Sequence, residues 1–196
     1  METGRPSGIL PSNVDVPAAS APPAWRAVQS PLLVGALVFV TFGLYAFWWL
    51  GRTWWQIKRE TDNPRMHPVW HVLAMLVPIY GYFRFYAHMR AIAALAATPE
   101  ARAAVSPGAA TLAWIIINVL DGVASLPSSA MWVTLVGSAL GGGLFGYAQN
   151  GLNAAWQSRP GGTVNARSHP LHYLLLLCGG LLLLVAVVIG LGPETA

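Results

Sequence analysis

The sequence predicts an all-α protein: a polytopic helical membrane bundle with four full transmembrane helices, one short re-entrant or broken segment and two interfacial amphipathic helices. Three observations predict it. The runs 31–50, 109–126, 130–150 and 171–192 carry one formal charge between them, Asp121. The last of these would rise roughly 33 Å, enough for the hydrocarbon core. Charged residues make up 9% of the chain and hydrophobic ones 55%, whereas a soluble domain carries about 25% charged residues. Finally, the basic residues gather between the apolar runs, which suits anionic lipid headgroups and not nucleic acid.

Residues 1–30 hold five prolines with many alanines and serines. Such a tail cannot bury a core and is expected to be flexible or extended. No basic leader precedes a short apolar stretch, so no cleaved signal peptide is expected. The single domain is therefore assigned to 31–192.

Its first span, 31–50, opens on Pro31, where a missing N–H costs nothing, and ends in the aromatic group Tyr45, Phe47, Trp48 and Trp49. The next ten residues, 51–60, read as a helix lying in the headgroup region. Trp54 and Trp55 would dip inward while Arg52, Lys58 and Arg59 meet lipid phosphates. Segment 68–83 is short for a span. The placement of Lys and Arg decides how it sits. Five ordinary crossings leave at best seven basic residues inside against four outside. A segment that enters and leaves on one face puts Arg52, Lys58, Arg59, Arg65, Arg84, Arg90, Arg102, Arg159 and Arg167 inside, against Arg5 and Arg26 outside. The second arrangement is favoured, with both termini outside.

Residues 84–98 interleave apolar positions with Arg84, His88 and Arg90, the pattern of a second interfacial helix. Ser106-Pro107-Gly108 turns the chain into the span 109–126, and a short link joins that span to 130–150 as an antiparallel hairpin. A Gly-rich polar loop, 158–169, precedes the span 171–192.

In the fourth span Thr134, Ser138, Gly142, Gly146 and Asn150 recur every four residues, overlapped by Gly137 and Gly141. Small residues at this spacing let two helix backbones approach closely, within the bundle or in a homo-oligomer; glycines also open space for a ligand groove. Asp121 shares a helix face with Asn118 and Ser125. Either it relays an ion or proton, or it caps and snorkels near its span end. Gln149 and Asn153 lie four apart, and such amides can bond across helices. The pairs His67/His71 and His169/His172 open apolar segments without a Cys or carboxylate at a telling spacing, so no metal or cofactor is expected. No nucleophile–base pairing is visible, and the chain is not expected to be an enzyme. Cys178 stands alone and says nothing about redox compartment.

The stretch Thr41-Phe42-Gly43-Leu44-Tyr45-Ala46-Phe47-Trp48-Trp49, followed by Arg52-Thr53-Trp54, resembles the hallmark of the bacterial domain-of-unknown-function 4234 family. Val77-Pro78-Ile79-Tyr80-Gly81-Tyr82 with the Arg84–Arg90 helix is similar to the second half of that family's core, and the Gln149–Trp156 segment to an amide and aromatic element downstream. The first two matches cover about residues 31–97. Leu44 replaces the usual Ile, and His169 to His172 stand where an acid is expected. The resemblance implies a small prokaryotic multi-pass membrane protein and no activity.

Three functions follow as expectations. The first is a non-enzymatic assembly or lipid-interacting module of the plasma or inner membrane, partnered by anionic lipids and by a second copy or another membrane protein. The second is a small oligomeric channel or transporter using Asp121 and the broken segment at Pro78–Gly81. An enzyme acting on lipid would have only the four histidines to work with.

Overall fold

The computed structural model describes residues 21–77, 79–124, 131–167 and 169–190. Expectations that fall on the tail 1–20, on Pro78 and Ser125, and on 125–130 and 191–192 lie outside the described residues.

The fold class is all-α. Helix α1 spans Pro31–Val40, with Ser30 Oγ accepting from the Leu33 N–H at 3.3 Å and Pro31 in its first turn. It then stops. Phe42 and Gly43 take left-handed φ angles of 48° and 85°, and the Gly43 N–H returns to the Val38 carbonyl at 2.9 Å. Helix α2 starts at once and runs unbroken over Leu44–Thr61. A continuous span 31–50 followed by a separate interfacial helix 51–60 is therefore incorrect. The break comes at 41–43, because Gly43 accepts a backbone angle that ends α1 inside an otherwise apolar run.

Helix α3, Pro68–Ala74, lies against α2, and the chain reverses through Met75 and Ile79 into α4, Tyr80–Leu95. A Cβ on Gly81 would come within 2.7 Å of the Met75 carbonyl oxygen, so the reversal needs glycine there. Segment 68–83 is thus a seven-residue helix plus the first turn of α4. Helix α4 does not lie apart in an interface. Phe85, Met89, Ile92 and Leu95 turn inward as α4 packs on α6 (Pro107–Ala124) and α7 (Met131–Gln157), His88 turns onto α2, and α5 (Pro99–Ala103) leads into α6. Helix α7, at about 40 Å, is the axis on which α1, α4 and α6 pack. Helix α8, Pro170–Gly190, crosses α1, where a Cβ on Gly179 would sit 2.6 Å from the Val40 carbonyl oxygen.

Two short strands lie at one end of this bundle, where Arg26 and Arg159 also meet on Glu60. The expectation that Arg26 lies on the side opposite Arg52, Arg159 and Arg167 is therefore incorrect. Strand β1 (Ala27–Val28) pairs in parallel with β2 (Val164–Asn165), Ala27 opposite Val164. The core is aromatic: Trp49 meets Phe145 edge-on at 5.3 Å, Phe85 stacks on Trp114 at 5.1 Å, and Trp156 is fully buried.

Among the described residues, Pro99–Gly122 is the one stretch long and apolar enough to cross a membrane, and α1 and Pro170–Val185 are shorter apolar helices. Only 17% of the apolar window in Pro99–Gly122 is buried inside the protein, whereas the core helix of a soluble domain would be mostly covered.

Candidate functional site

The most distinctive concavity lies where the start of α2 faces the start of α8. It has a volume of about 660 Å³, within the usual range of ligand sites. Leu44, Trp48, Leu171 and Leu175 form its apolar wall, and Gln29, Tyr45, Arg52, Arg167, His169 and His172 its polar end. The helix break builds this site. Thr41 Oγ1 donates to the Leu37 carbonyl at 2.6 Å and accepts the Tyr45 N–H at 3.0 Å, closing α1 and opening α2 with one hydroxyl. Tyr45 thereby points at α8, with its hydroxyl 3.3 Å from His172 Nε2. His172 Nδ1 accepts the His169 backbone N–H at 3.3 Å. The proton of the neutral ring therefore sits on Nε2 and is donated to Tyr45.

Arg52 enters from the next turn of α2. Its Nη1 donates to the Gln29 side-chain oxygen, and its guanidinium lies 5.3 Å from the Trp48 ring centre. Gln29 is held in turn by Asn153, whose Nδ2 donates to the Gln29 carbonyl at 2.7 Å. Gln149 Nε2 donates to Asn153 Oδ1 at 2.7 Å, and Trp49 Nε1 to Gln149 Oε1 at 2.7 Å. One chain of hydrogen bonds thus runs from the buried core to the rim of the cavity. Gln149 and Asn153, expected to bond across helices, act here on α2 and on the segment before α1.

The expected lipid-facing set divides. Trp49 and Trp54 are buried by protein, while Trp48 and Trp55 are exposed, the latter under Arg59 at 5.0 Å. Trp54 stacks on His71 at 4.1 Å and meets His88 edge-on. Arg84 bonds His71 and lies over Tyr80, Arg90 is exposed and Lys58 is half-exposed. His88, fully buried, bonds Thr53 Oγ1 at 2.9 Å, and burial pulls its imidazole down to about 3.

The small residues of α7 divide too. Gly142 and Gly146 pack on α1: a Cβ at Gly142 would lie 2.6 Å from the Gly35 carbonyl oxygen, and one at Gly146 3.2 Å from that of Pro31. Gly141 makes only ordinary contact with Val38. Gly137 faces α6, where its Cβ would meet Asp121 Oδ1 at 2.5 Å. Asp121, Asn118, Thr134, Gly137 and Ser138 line a second cavity of about 510 Å³, and the Asn118 amide donates back to the Trp114 carbonyl at 2.7 Å.

Sequence reasoning missed Glu60. Its carboxylate receives Arg26 on both oxygens at 2.8 and 2.9 Å, Trp25 Nε1 at 2.9 Å, and Arg159. Burial opposes its charge, but these donors outweigh that and bring its pKa down to about 2. Arg159 also donates to the Leu95 carbonyl at 2.8 Å. One carboxylate thus ties the segment before β1, the end of α2 and the loop after α7. The available signal was a single acid closing a run of Trp, Lys and Arg.

Among the described residues no group of His, Cys, Asp and Glu is placed to hold a metal ion. No protein-family model, curated protein or solved structure matches this chain. The likeness to the domain-of-unknown-function 4234 family therefore rests on its motif residues alone, of which Thr41, Gly43 and Tyr45 form the break between α1 and α2.

Proposed function

We propose that the protein is a non-enzymatic, multi-pass module of a cell membrane that interacts with anionic lipid through its basic and aromatic rim. The observation that carries this reading is where the apolar surface lies. The window within Pro99–Gly122 is mostly unburied, and Leu174, Leu177, Leu181 and Leu184 of α8 point away from the protein. Leaving such a surface in water would expose apolar patches well beyond those of a soluble monomer. In lipid it costs nothing. On this reading the apolar stretches 109–126, 130–150 and 171–192 lie in the hydrocarbon, and 31–50 enters it as a hairpin of α1 and the first turns of α2, because Gln29 before α1 bonds Arg52 of α2. The exposed Trp48, Trp55, Arg59 and Arg90 then sit at headgroup level.

Alkaline carbonate washing tests the reading, with a protein that stays in the membrane fraction as the expected result. Ser20→Cys and Glu100→Cys, each in a Cys178→Ser background, test the topology. Arg26 and Arg159 meet on Glu60 and the Ala97 N–H bonds Ser158, so both cysteines are expected to react from one side, and labelling from opposite sides sinks the arrangement.

A second reading, a small oligomeric channel, is favoured by the cavity lined by Asp121, Asn118, Thr134 and Ser138. It requires an ion- or proton-dependent flux in proteoliposomes that Asp121→Asn removes.

A further inference from the structure

We propose that the cavity between the starts of α2 and α8 holds the phosphate headgroup of one anionic phospholipid, with an acyl chain along its leucine wall. The proposal rests on the membrane reading above and names the ligand class of its lipid contact.

Uncompensated charge is the first argument. Arg52 and Arg167 both line the cavity, with His169 and His172 beside them, and no carboxylate is in the lining. Among the described residues both ion pairs belong to Glu60, with Arg26 and Arg159. Arg52 and Arg167 thus have no acidic partner there. Two guanidinium groups facing one mostly apolar hollow with no carboxylate leave uncompensated positive charge there, which an anion between them offsets.

Donor direction is the second. Arg52 spends one N–H group on Gln29 and is braced against Trp48, so it is held in place with other N–H groups left to give. His172 Nε2–H donates to the Tyr45 oxygen, so the Tyr45 hydroxyl hydrogen has no need of His172. Among the described residues it meets no other acceptor. Donors thus converge from α2 and from the loop before α8, a better match to the several oxygens of a phosphate than to a single acceptor.

The third argument separates a lipid from a free anion. Leu44, Trp48, Leu171 and Leu175 line the same cavity, and Leu44 and Leu171 are well exposed. A free phosphate would leave this wall uncovered; an acyl chain covers it.

Native mass spectrometry of the full chain in mild detergent tests the proposal, with phosphatidylglycerol, phosphatidylcholine and inorganic phosphate added separately. One phosphatidylglycerol is expected to stay bound, with phosphatidylcholine weaker by about tenfold or more. Arg167→Gln, at an exposed loop position that leaves the bundle intact, should weaken phosphatidylglycerol by about tenfold. Leu175→Trp, which fills the apolar wall, should do the same, and Arg102→Gln, exposed and outside the cavity, should not. Equal retention of the two lipids, indifference to both cavity variants, or displacement of the lipid by inorganic phosphate alone would overturn the assignment. A protein that resists alkaline carbonate yet shows no such selectivity overturns the headgroup site and leaves the membrane reading standing. One released by carbonate overturns both.

Discussion

Trp49 Nε1 and the Gln149 side-chain oxygen, 2.7 Å apart with both residues buried, join α2 to α7 at the centre of the bundle. Gln149 has its other side-chain group committed to Asn153, which is half-buried and also accepts the Gln29 N–H, so losing the amide leaves one buried donor, Trp49 Nε1, without a partner. Gln149→Leu should therefore destabilise by about 1–3 kcal/mol. Trp49→Phe should cost a similar amount, and the double variant less than the sum. Thermal unfolding in detergent reads all three; strict additivity would show that the bond carries no coupling.

Close backbone approach between α1 and α7 makes a sharper contrast. A Cβ on Gly35 would lie 2.7 Å from the Gly142 carbonyl oxygen, and one on Gly142 2.6 Å from that of Gly35, whereas Gly143 has open space. Gly35→Ala and Gly142→Ala should each push the helices apart, at about 1–3 kcal/mol. Gly143→Ala should be neutral or slightly stabilising, since alanine is the better helix former. The same unfolding measurement checks it, and equal effects at 142 and 143 would refute close packing as the cause.

Periodicity carried most of the helical content, since α4, α6, α7 and α8 each show apolar or small residues at helical spacing or in one long run. What it could not show was partnership. Trp49 and Trp54 read as lipid anchors because they sit among Arg and Lys, and only the arrival of α3, α4 and α7 buries them. The break at 41–43 lies in an apolar run, where hydropathy is blind and only the φ of Gly43 decides. Glu60 was invisible for a related reason: its partners Arg26 and Arg159 lie 34 and 99 residues away. Of the cavity, Tyr45, Arg52 and the His169/His172 pair stood out in the sequence, but nothing in their spacing says that they meet.

Glu60 should set the acid limit of the fold. Its ordinary value is 4.5 and its folded value about 2, so the folded state favours the charged form. That stability is present in full above about 4.5, and is lost as the pH falls through about 2. Glu60→Gln should cost about 3 kcal/mol at neutral pH, because Arg26 and Arg159 lose their shared anion. It should also flatten the acid limb of a plot of unfolding temperature against pH. A variant as acid-sensitive as the parent would show that another carboxylate sets that limb.

The Thr41–Gly43 turn offers a test in which geometry, not packing, is changed. Gly43 has nothing within 4 Å of a would-be Cβ, so Gly43→Ala meets no neighbour and pays only for its φ of 85°, at about 1 kcal/mol. Thr41→Val removes the hydroxyl that serves both helix ends and should cost about 1 kcal/mol as well. Thr41→Ser keeps that hydroxyl and should lose little. Because Tyr45 follows directly on this turn and reaches His172, the two damaging variants should also loosen α8 against α2. Hydrogen exchange at the start of α8 reads that effect: faster exchange in Gly43→Ala and Thr41→Val, parental exchange in Thr41→Ser. If exchange there is indifferent to all three, the turn shapes α1 and α2 without positioning the cavity between α2 and α8.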